Sequence, residues 1–512
     1  MRFDDSQASG RKFVAMILVP GETCGPRCQA DDSGLLIDAQ DFYQAIYRVA
    51  PLAKRYLAFC GWQFDSDVPL LHGDRAANTE LPVNFLPFLK ELLDRNRELD
   101  VYVLAWDFNP IYLFEREWFQ EWRFTWNVSN RMHFVVDGTH PIGASHHQKL
   151  VLVDGTLAYL GGMDICDHRW DDREHRAANE ERVTTDGRSY GPYHDVQAYV
   201  TGPAARQLVT LFQQRWRLAT GDPLELPAVD VRHETAATLR VGPASVGISE
   251  TRGAMADVPV PGCDHVAAKY ERAIASAKRL IYIENQYFTA DRIFAALMAR
   301  LRPPAPKPLD VVFVLPRKPS AFKEMMALGI RQCKLLQALE KTAERSGHRL
   351  GVYYSSPTDR IEDATYIHSK ILVVDDTFLS VGSANTTNRS LGIDSELDVA
   401  WEGEGVEERI REVRLSLLRE HAGSDDVDPR TDGAVQELNR VCDSADTKLY
   451  RLPYDDYGPL GGILPDTEIP DFAIDPESPL VVEALQSLEL EEGRHAFTKG
   501  IRWLRTHLPG KE

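Results

Sequence analysis

"HQKLVLVD" (147–154) and "HSKILVVD" (368–375) are one pattern written twice, His-x-Lys-x4-Asp, 221 residues apart. A single copy of so short a pattern arises easily by chance and reads as a polar residue leading into a buried strand. The second copy changes that reading, because its surroundings repeat as well. The same offset carries "YLGGMD" (159–164) onto "SVGSAN" (380–385), so Gly161 meets Gly382 and Asp164 meets Asn385. Upstream, "YLAFCGWQFD" (56–65) precedes the first motif about as far as "IYIENQYFTA" (281–290) precedes the second. "LDVYVLAWD" (99–107) is similar to "LDVVFVLPR" (309–317). Behind each motif an apolar run opens on an acid, in "HDVQAYV" (194–200) and "SELDVAW" (395–401).

The chain is therefore two related halves, with the repeat visible over about 30–220 and 255–405. At 512 residues it is too long for a single core. The domain reading is an N-terminal half 1–220, a Pro, Gly and Ser-rich linker 221–254, a C-terminal half 255–405, and an extension 406–512. Within each half, amphipathic segments such as 45–60 and 266–283 run from helix into strand, and 81–96 and 321–347 read as helices. Continuous apolar runs such as "KLVLVD" and "KILVVD" read as buried strands. The expected fold class is α/β. Each half has a mostly buried mixed sheet flanked by helices, the halves pack about a pseudo-twofold axis, and a C-terminal extension follows.

Charge and composition narrow the function. The net charge of −19 disfavours a protein that grips nucleic acid without regard to sequence, which normally needs a basic face. No signal-like start and no apolar run long enough to span a bilayer is seen, so the expectation is a cytoplasmic protein with at most peripheral membrane contact. Seven scattered cysteines suit reduced thiols. Cys24 and Cys28 lack the second close pair that a structural zinc site needs, and no metal is expected.

The repeat also selects among the histidines. His147 corresponds to His368, while His146 corresponds to Ile367. Residues two apart share one face of a strand, so His147 sides with Lys149 and His368 with Lys370. His146 points the other way and reads as a half-buried neighbour holding a hydrogen bond. Two like halves can bring their strand ends to one cleft. There two ammoniums can hold the non-bridging oxygens of a phosphodiester. One neutral imidazole can attack phosphorus while a protonated one supplies the leaving oxygen with a proton. A histidine can serve in either role.

These stretches resemble the phospholipase D superfamily. "IHSKILVVDDTFLSVGSANTTNRSLGIDSEL" (367–397) is similar to that family's C-terminal signature, "IYIENQYF" (281–288) to its preceding strand, and "GRSYGPYHDVQAYVTGPAA" (187–205) to its Pro-aromatic-His-Asp segment. The likeness covers roughly residues 12–402. It implies a covalent phosphohistidine, two chemical steps, and neither metal nor cofactor. His147 takes the nucleophile's place, with His368 as acid and then base. By the same resemblance Asp195 is expected to hold His147, and Glu396 to hold His368. Asp154 and Asp375 count with this catalytic set, with bracing of the motif loops as the alternative. Ser383 and Asn385 can donate to the phosphate. Gly162 and Asp164 take those places in the first half, which then offers fewer donors. Asp164 is still counted with the substrate-binding residues.

His140, His168, His175, His194 and His265 read as surface or loop polar groups. The segment "CDHRWDDREH" (166–175) reads either as a rim touching a headgroup or as a solvated loop. Trp62, Trp106 and Trp170 form either an aromatic wall for choline or ordinary packing. The extension contains an amphipathic helix ended by glycine (407–423) and a Pro and acid-rich strap (454–479), with no chemistry assigned to either. The expected reaction is hydrolysis of a phospholipid at a membrane surface, as with phosphatidylcholine, water or an alcohol being the acceptor. A cardiolipin-synthase-like phosphatidyltransferase, a nuclease and an inactive lipid-binding homologue are the alternatives. With both motifs in one chain, a monomer is expected, and no nucleic-acid partner.

Overall fold

The computed structural model describes residues 16–107, 124, 128–141, 143–255, 261–304, 306–317, 328–403, 405–454 and 475. Two sheets dominate it. The first contains β2 (Ser33–Ile37), β3 (Tyr56–Gly61), β4 (Asp100–Trp106), β5 (Met132–Asp137), β6 (Leu150–Val153), β7 (Leu157–Gly161), β9 (Val196–Thr201) and β10 (Leu239–Arg240). β1 (Cys28–Ala30) leaves for the other sheet, and β8 (Tyr193–His194) stands apart. The second sheet contains β11 (Ala244–Arg252), β12 (Cys263–Asp264), β13 (Leu280–Glu284), β14 (Asp310–Val314), β15 (Arg349–Ser355), β17 (Ile371–Val374), β18 (Phe378–Gly382), β19 (Glu396–Glu402) and β20 (Leu449–Arg451). β16 (Tyr366–Ile367) pairs with β8.

The duplication is written in the strand order. The first sheet runs β2-β9-β7-β6-β3-β4-β5, and the second runs β11-β19-β18-β17-β13-β14-β15. Each is mixed. β3, β4 and their equivalents are parallel, and the two motif strands open antiparallel hairpins, β6–β7 and β17–β18. The motif aspartates sit in the hairpin turns. Asp154 and Gly155 have φ of 51° and 66°, and Asp375 and Asp376 have 54° and 56°. The two successive positive φ values make a tight turn closed by Thr156 N to Val153 O at 3.1 Å and by Thr377 N to Val374 O at 3.0 Å, and Asp and Gly are residues that accept such φ at low cost.

The sheets lie back to back. One central cluster joins inward residues of both, including Leu152, Leu160, Val196, Val373 and Val381, with the helix Pro203–Thr220 and the helix Glu407–Ala422 packed against it. A separate cluster lies under the helices Asp38–Val49 and Phe85–Arg95 of the first half. A third lies under His265–Ser276, Asp291–Leu301 and Ile330–Ser346 of the second.

Two stretches differ from their sequence reading. Residues 221–254 are not all loop, because β11 is an interior strand of the second sheet and β10 extends the first. The same stretch buries His233, whose Nε2 lies 2.9 Å from Asp154. The extension is partly built into the fold. β20 pairs with β15, and the helix Glu407–Ala422 carries buried Glu420 and His421 inward. Most of the strap 454–479 and the segment 318–327 lie outside the described residues.

Candidate active site

The halves meet through two reciprocal crossings. β16, leading to His368, runs parallel to β8, leading to Asp195, with Ile367 beside His194. Equivalently, His146 bridges in parallel to Ser395. Backbone bonds clamp each crossing, from His368 N to His194 O at 2.8 Å and from His147 N to Ser395 O at 2.9 Å. Each motif histidine is thus set beside the acid that opens the closing strand of the other half.

This corrects the expected pairing. His147 Nδ1 lies 3.0 Å from Glu396 Oε2, and His368 Nδ1 lies 2.6 Å from Asp195 Oδ2. The partners are exchanged because the carboxylate arrives across the interface, which spacing along one chain does not reveal. A second acceptor, the Ser383 carbonyl, lies 3.1 Å from His147 Nδ1. In both rings Nδ1 is held, which leaves Nε2 to act.

Lys149 and Lys370 are buried beside their histidines. Lys149 donates to the His147 carbonyl at 2.9 Å and lies 3.4 Å from Asp164. Lys370 donates to the His368 carbonyl and, at 3.4 Å, to Gln286. Burial brings the Lys370 ammonium down to about 7, with Asp195 opposing and the charge of Lys149 adding. Burial also pushes both imidazoles well below their usual value, and the two lysines push the same way. It raises Asp195 to about 7 and Glu396 well above the carboxylate range. Burial and the two lysines therefore favour neutral imidazoles. An anion bound between the lysines would offset their charge and let one imidazole take up a proton.

The surrounding residues divide by what they touch. Asp154 accepts backbone N–H bonds from Lys54, Arg55 and Tyr56 at 2.7–3.0 Å. Asp375 does the same for Lys278, Arg279 and Leu280 at 2.8–2.9 Å. Both brace the turn before the central strand, β3 or β13, and their carboxylates are taken up there. Ser383 directs its hydroxyl to Glu396, so it supports His147 and is not a spare donor. Asp164 accepts from the Trp62 and Gln63 backbone at 2.8 and 3.3 Å. Asn385 differs, since its buried Oδ1 has no partner among the described residues. Gly162 has a backbone reason. A Cβ there would come within 2.3 Å of Asp195 Oδ1, so the first half has no room for a serine at that place.

Behind His368 lies a buried cluster that corrects the reading of His175 and His194 as surface groups. His194 Nδ1 is 3.0 Å from Asp38 Oδ1 and 2.9 Å from Glu420 Oε1. His175 Nε2 is 3.1 Å from Glu420 and 3.4 Å from Asp38. Asp171 holds the far nitrogen of His175 at 3.0 Å, and Glu284 that of His194 at 3.2 Å. His194 Nδ1 and Asp38 Oδ2 have no well-aligned hydrogen bond. Two nitrogens and two carboxylates that converge, each imidazole braced from behind by a carboxylate, suit a divalent cation. The spacing of these residues along the chain gave no sign that they converge beside the motifs. Asp38, Glu420, Glu284 and His421 were not legible as site residues, since their ligating partners are up to hundreds of positions away. His194, next to Asp195, was the one local signal.

The other candidate tryptophans and histidines are held by neighbouring side chains. His146 is buried, with Nδ1 2.8 Å from Ser395 Oγ and Nε2 3.2 Å from Asp137. His140 is tied to Asp107 at 2.6 Å. Trp170 is buried against His72, and Trp62 stacks on Trp106. The segment 166–175 is no solvated loop, because Cys166, Trp170, Asp171 and His175 are buried.

Comparison with known proteins agrees with this architecture. A family model described as phospholipase D matches residues 51–245, and one described as cardiolipin synthase, phospholipase D-like domain, matches 270–414. The chain belongs to the phospholipase D superfamily. Phospholipase D alpha 1 of Nicotiana tabacum is 26% identical over 418 residues, covering 58% of this chain and 52% of that protein. Phospholipase D alpha 4 of Arabidopsis thaliana is 23% identical over 504 residues, covering 75% and 64%. The chain thus spans about half to two thirds of the length of these curated relatives. Among solved structures, a phosphatidylserine synthase from Haemophilus influenzae Rd KW20 superimposes with a TM-score of 0.52 at 16% identity, over 77% of this chain and 88% of that one, and so is similar in fold. No helix among the described residues is long and apolar enough to cross a membrane.

Proposed function

We propose that this superfamily member hydrolyses the headgroup phosphodiester of a phospholipid, phosphatidylcholine being the first substrate to try, and transfers the phosphatidyl group to alcohols. The observation that carries the reading is the pair of imidazoles, each with Nδ1 held by a carboxylate of the other half and each beside a buried lysine. In the first step His147 Nε2 forms a bond to phosphorus. The bond to the headgroup oxygen breaks, and that oxygen takes a proton from His368 Nε2. In the second step water or an alcohol gives its proton back to His368 as its oxygen bonds to phosphorus, and the phosphorus–Nε2 bond breaks. Lys149, Lys370 and Asn385 hold the phosphoryl oxygens.

Two displacements retain configuration at phosphorus, and the intermediate divides between water and alcohol. The test is phosphatidylcholine with a few per cent ethanol, together with a chiral phosphorothioate. Phosphatidylethanol and retention are expected, and a phosphohistidine peptide should contain His147. Phosphatidic acid formed with inversion and no phosphatidylethanol would refute the two-step reading. The match of 270–414 to a cardiolipin synthase domain supports a second reading, a phosphatidyltransferase using the same intermediate. It is favoured if phosphatidylglycerol is converted to a larger lipid while phosphatidylcholine is left untouched.

A further inference from the structure

The two halves do not offer a bound phosphate the same donors. The second half presents Asn385, whose NH2 can donate to an anion and whose buried Oδ1 has no partner among the described residues. The first half has Asp164 at that place, an acceptor already engaged by two backbone amides and Lys149. A phosphoryl group seated between the motifs would meet a carboxylate where the other half offers a donor. Something else on that side has to answer for it.

Arg169 is five positions beyond Asp164 and half-buried. Its guanidinium sits 5.3 Å above the Tyr193 ring, and that ring sits 5.5 Å from the ring of His368, so the arginine lies one aromatic layer from the proposed acid and base. No carboxylate pairs with it among the described residues. Among the described residues its buried Nε has no acceptor, and its one side-chain hydrogen bond is a long one, 3.4 Å, to the neighbouring His168 carbonyl. The deeply buried arginines of this protein behave otherwise. Arg182, Arg215 and Arg414 each meet a carboxylate, Asp171, Asp137 and Asp376, at 2.6–2.9 Å. The Tyr193 hydroxyl beside Arg169 is likewise buried and without a partner. Leaving such donors unmet is costly unless a ligand meets them.

We propose that Arg169, with the Tyr193 hydroxyl beside it, is the phosphoryl-binding arm of the first half, donating to an oxygen of the phosphodiester from the His368 side. The inference rests on the reading of the cleft as a phosphoryl-transfer site. A diester in the ground state has one negative charge, whereas the transition state gathers more on its equatorial oxygens. Three cations, Lys149, Lys370 and Arg169, match the latter better than the former. Arg169 therefore acts more on turnover than on substrate affinity. Its charge also contributes to the low pKa of His368, after burial and Lys370.

The experiment compares the full-length protein with Arg169→Gln, Arg169→Lys and Tyr193→Phe. Thermal shift with inorganic tungstate measures oxyanion binding without any turnover. Bis(p-nitrophenyl) phosphate measures chemistry on a diester with no lipid and no choline. Arg169→Gln should weaken tungstate binding at least about tenfold and lower kcat about a hundredfold, with KM changed much less. The limb of the pH profile set by His368 should move to higher pH, since a positive neighbour has gone. Tyr193→Phe should show a smaller loss of the same kind. A folded Arg169→Gln with wild-type tungstate binding and an unmoved pH limb would overturn the proposal. If Arg169→Gln does not fold, Arg169→Lys decides, since it keeps the charge and loses the fork. Weakened tungstate binding at a normal melting temperature supports the proposal, and unchanged binding overturns it. A wild type that binds tungstate and cleaves the nitrophenyl diester, yet leaves phosphatidylcholine and other phospholipids intact, would refute the lipid reading alone.

Discussion

The crossed carboxylates give the sharpest test of the site, through Glu396→Gln and Asp195→Asn. Both substitutions keep shape and exchange a fully buried carboxyl for an amide that can donate as well as accept. In the parent, Glu396 accepts the His147 Nδ1 proton at 3.0 Å, so Nε2 has its lone pair free. A glutamine amide that turns its NH2 toward the ring makes Nδ1 the acceptor and moves the proton to Nε2, the atom that has to attack. The Ser383 carbonyl at 3.1 Å still favours the working tautomer, so the loss is partial. We expect about a 10³-fold fall in the first step, about 4 kcal/mol at 1.36 kcal/mol per decade. Among the described residues His368 Nδ1 has no second acceptor of that kind, so Asp195→Asn should cost about 10⁴ with a natural headgroup. The leaving group separates the two. Nitrophenolate departs without a proton, so with phosphatidyl-p-nitrophenol the acid is dispensable in the first step. Stopped-flow bursts should then survive in Asp195→Asn to within about tenfold and stay slow in Glu396→Gln. A burst kept by Glu396→Gln and lost by Asp195→Asn would refute the crossed assignment or reverse the roles of the histidines.

Other outcomes follow from the same geometry. Asp154→Asn loses a charged acceptor of three backbone amides and of His233, so it should destabilise the fold by about 3 kcal/mol while kcat of the folded protein stays within about tenfold, as read by urea titration and active-site-normalised rates. His146 is held neutral by burial at a pKa of about 4, against 6.5 when unfolded. The unfolded chain thus binds the extra proton, and stability should fall as pH drops from 6.5 toward 4, by on the order of 3 kcal/mol for this group. Urea midpoints of the parent and His146→Asn at pH 7 and pH 5 check the sign, and a parent more stable at pH 5 would contradict it. A divalent cation added to metal-stripped protein should raise the melting temperature, and Glu420→Gln should abolish that rise, because Glu420 faces both His175 and His194. An equal rise in both proteins would place the ion elsewhere.

Much of this molecule was legible in its sequence because duplication is a property of sequence. His147, Lys149, His368 and Lys370 stood out since each occurs twice with the same neighbours, and the period-2 geometry of a strand put each histidine and lysine on one face and His146 on the other. The hairpin turns at Asp154 and Asp375 were similarly local, set by two residues that accept positive φ. Which carboxylate serves which histidine was not local. Asp195 and Glu396 stood out as a pair because they hold matching places in the repeat, yet both could be exchanged without altering any spacing, and only the parallel crossing of β8 with β16 and of His146 with Ser395 decided it. The buried cluster shows the same limit. Asp38 opens a helix, Glu420 closes one in the extension, and His175 follows a turn, so none belongs to a periodic pattern. Arg169 was hidden for a related reason. An arginine in a charged, aromatic stretch looks solvated until the structure shows that no carboxylate among the described residues pairs with it. Repetition and periodicity report the face a residue takes within its own element, whereas burial and the charge that meets it depend on elements that only the folded chain brings together.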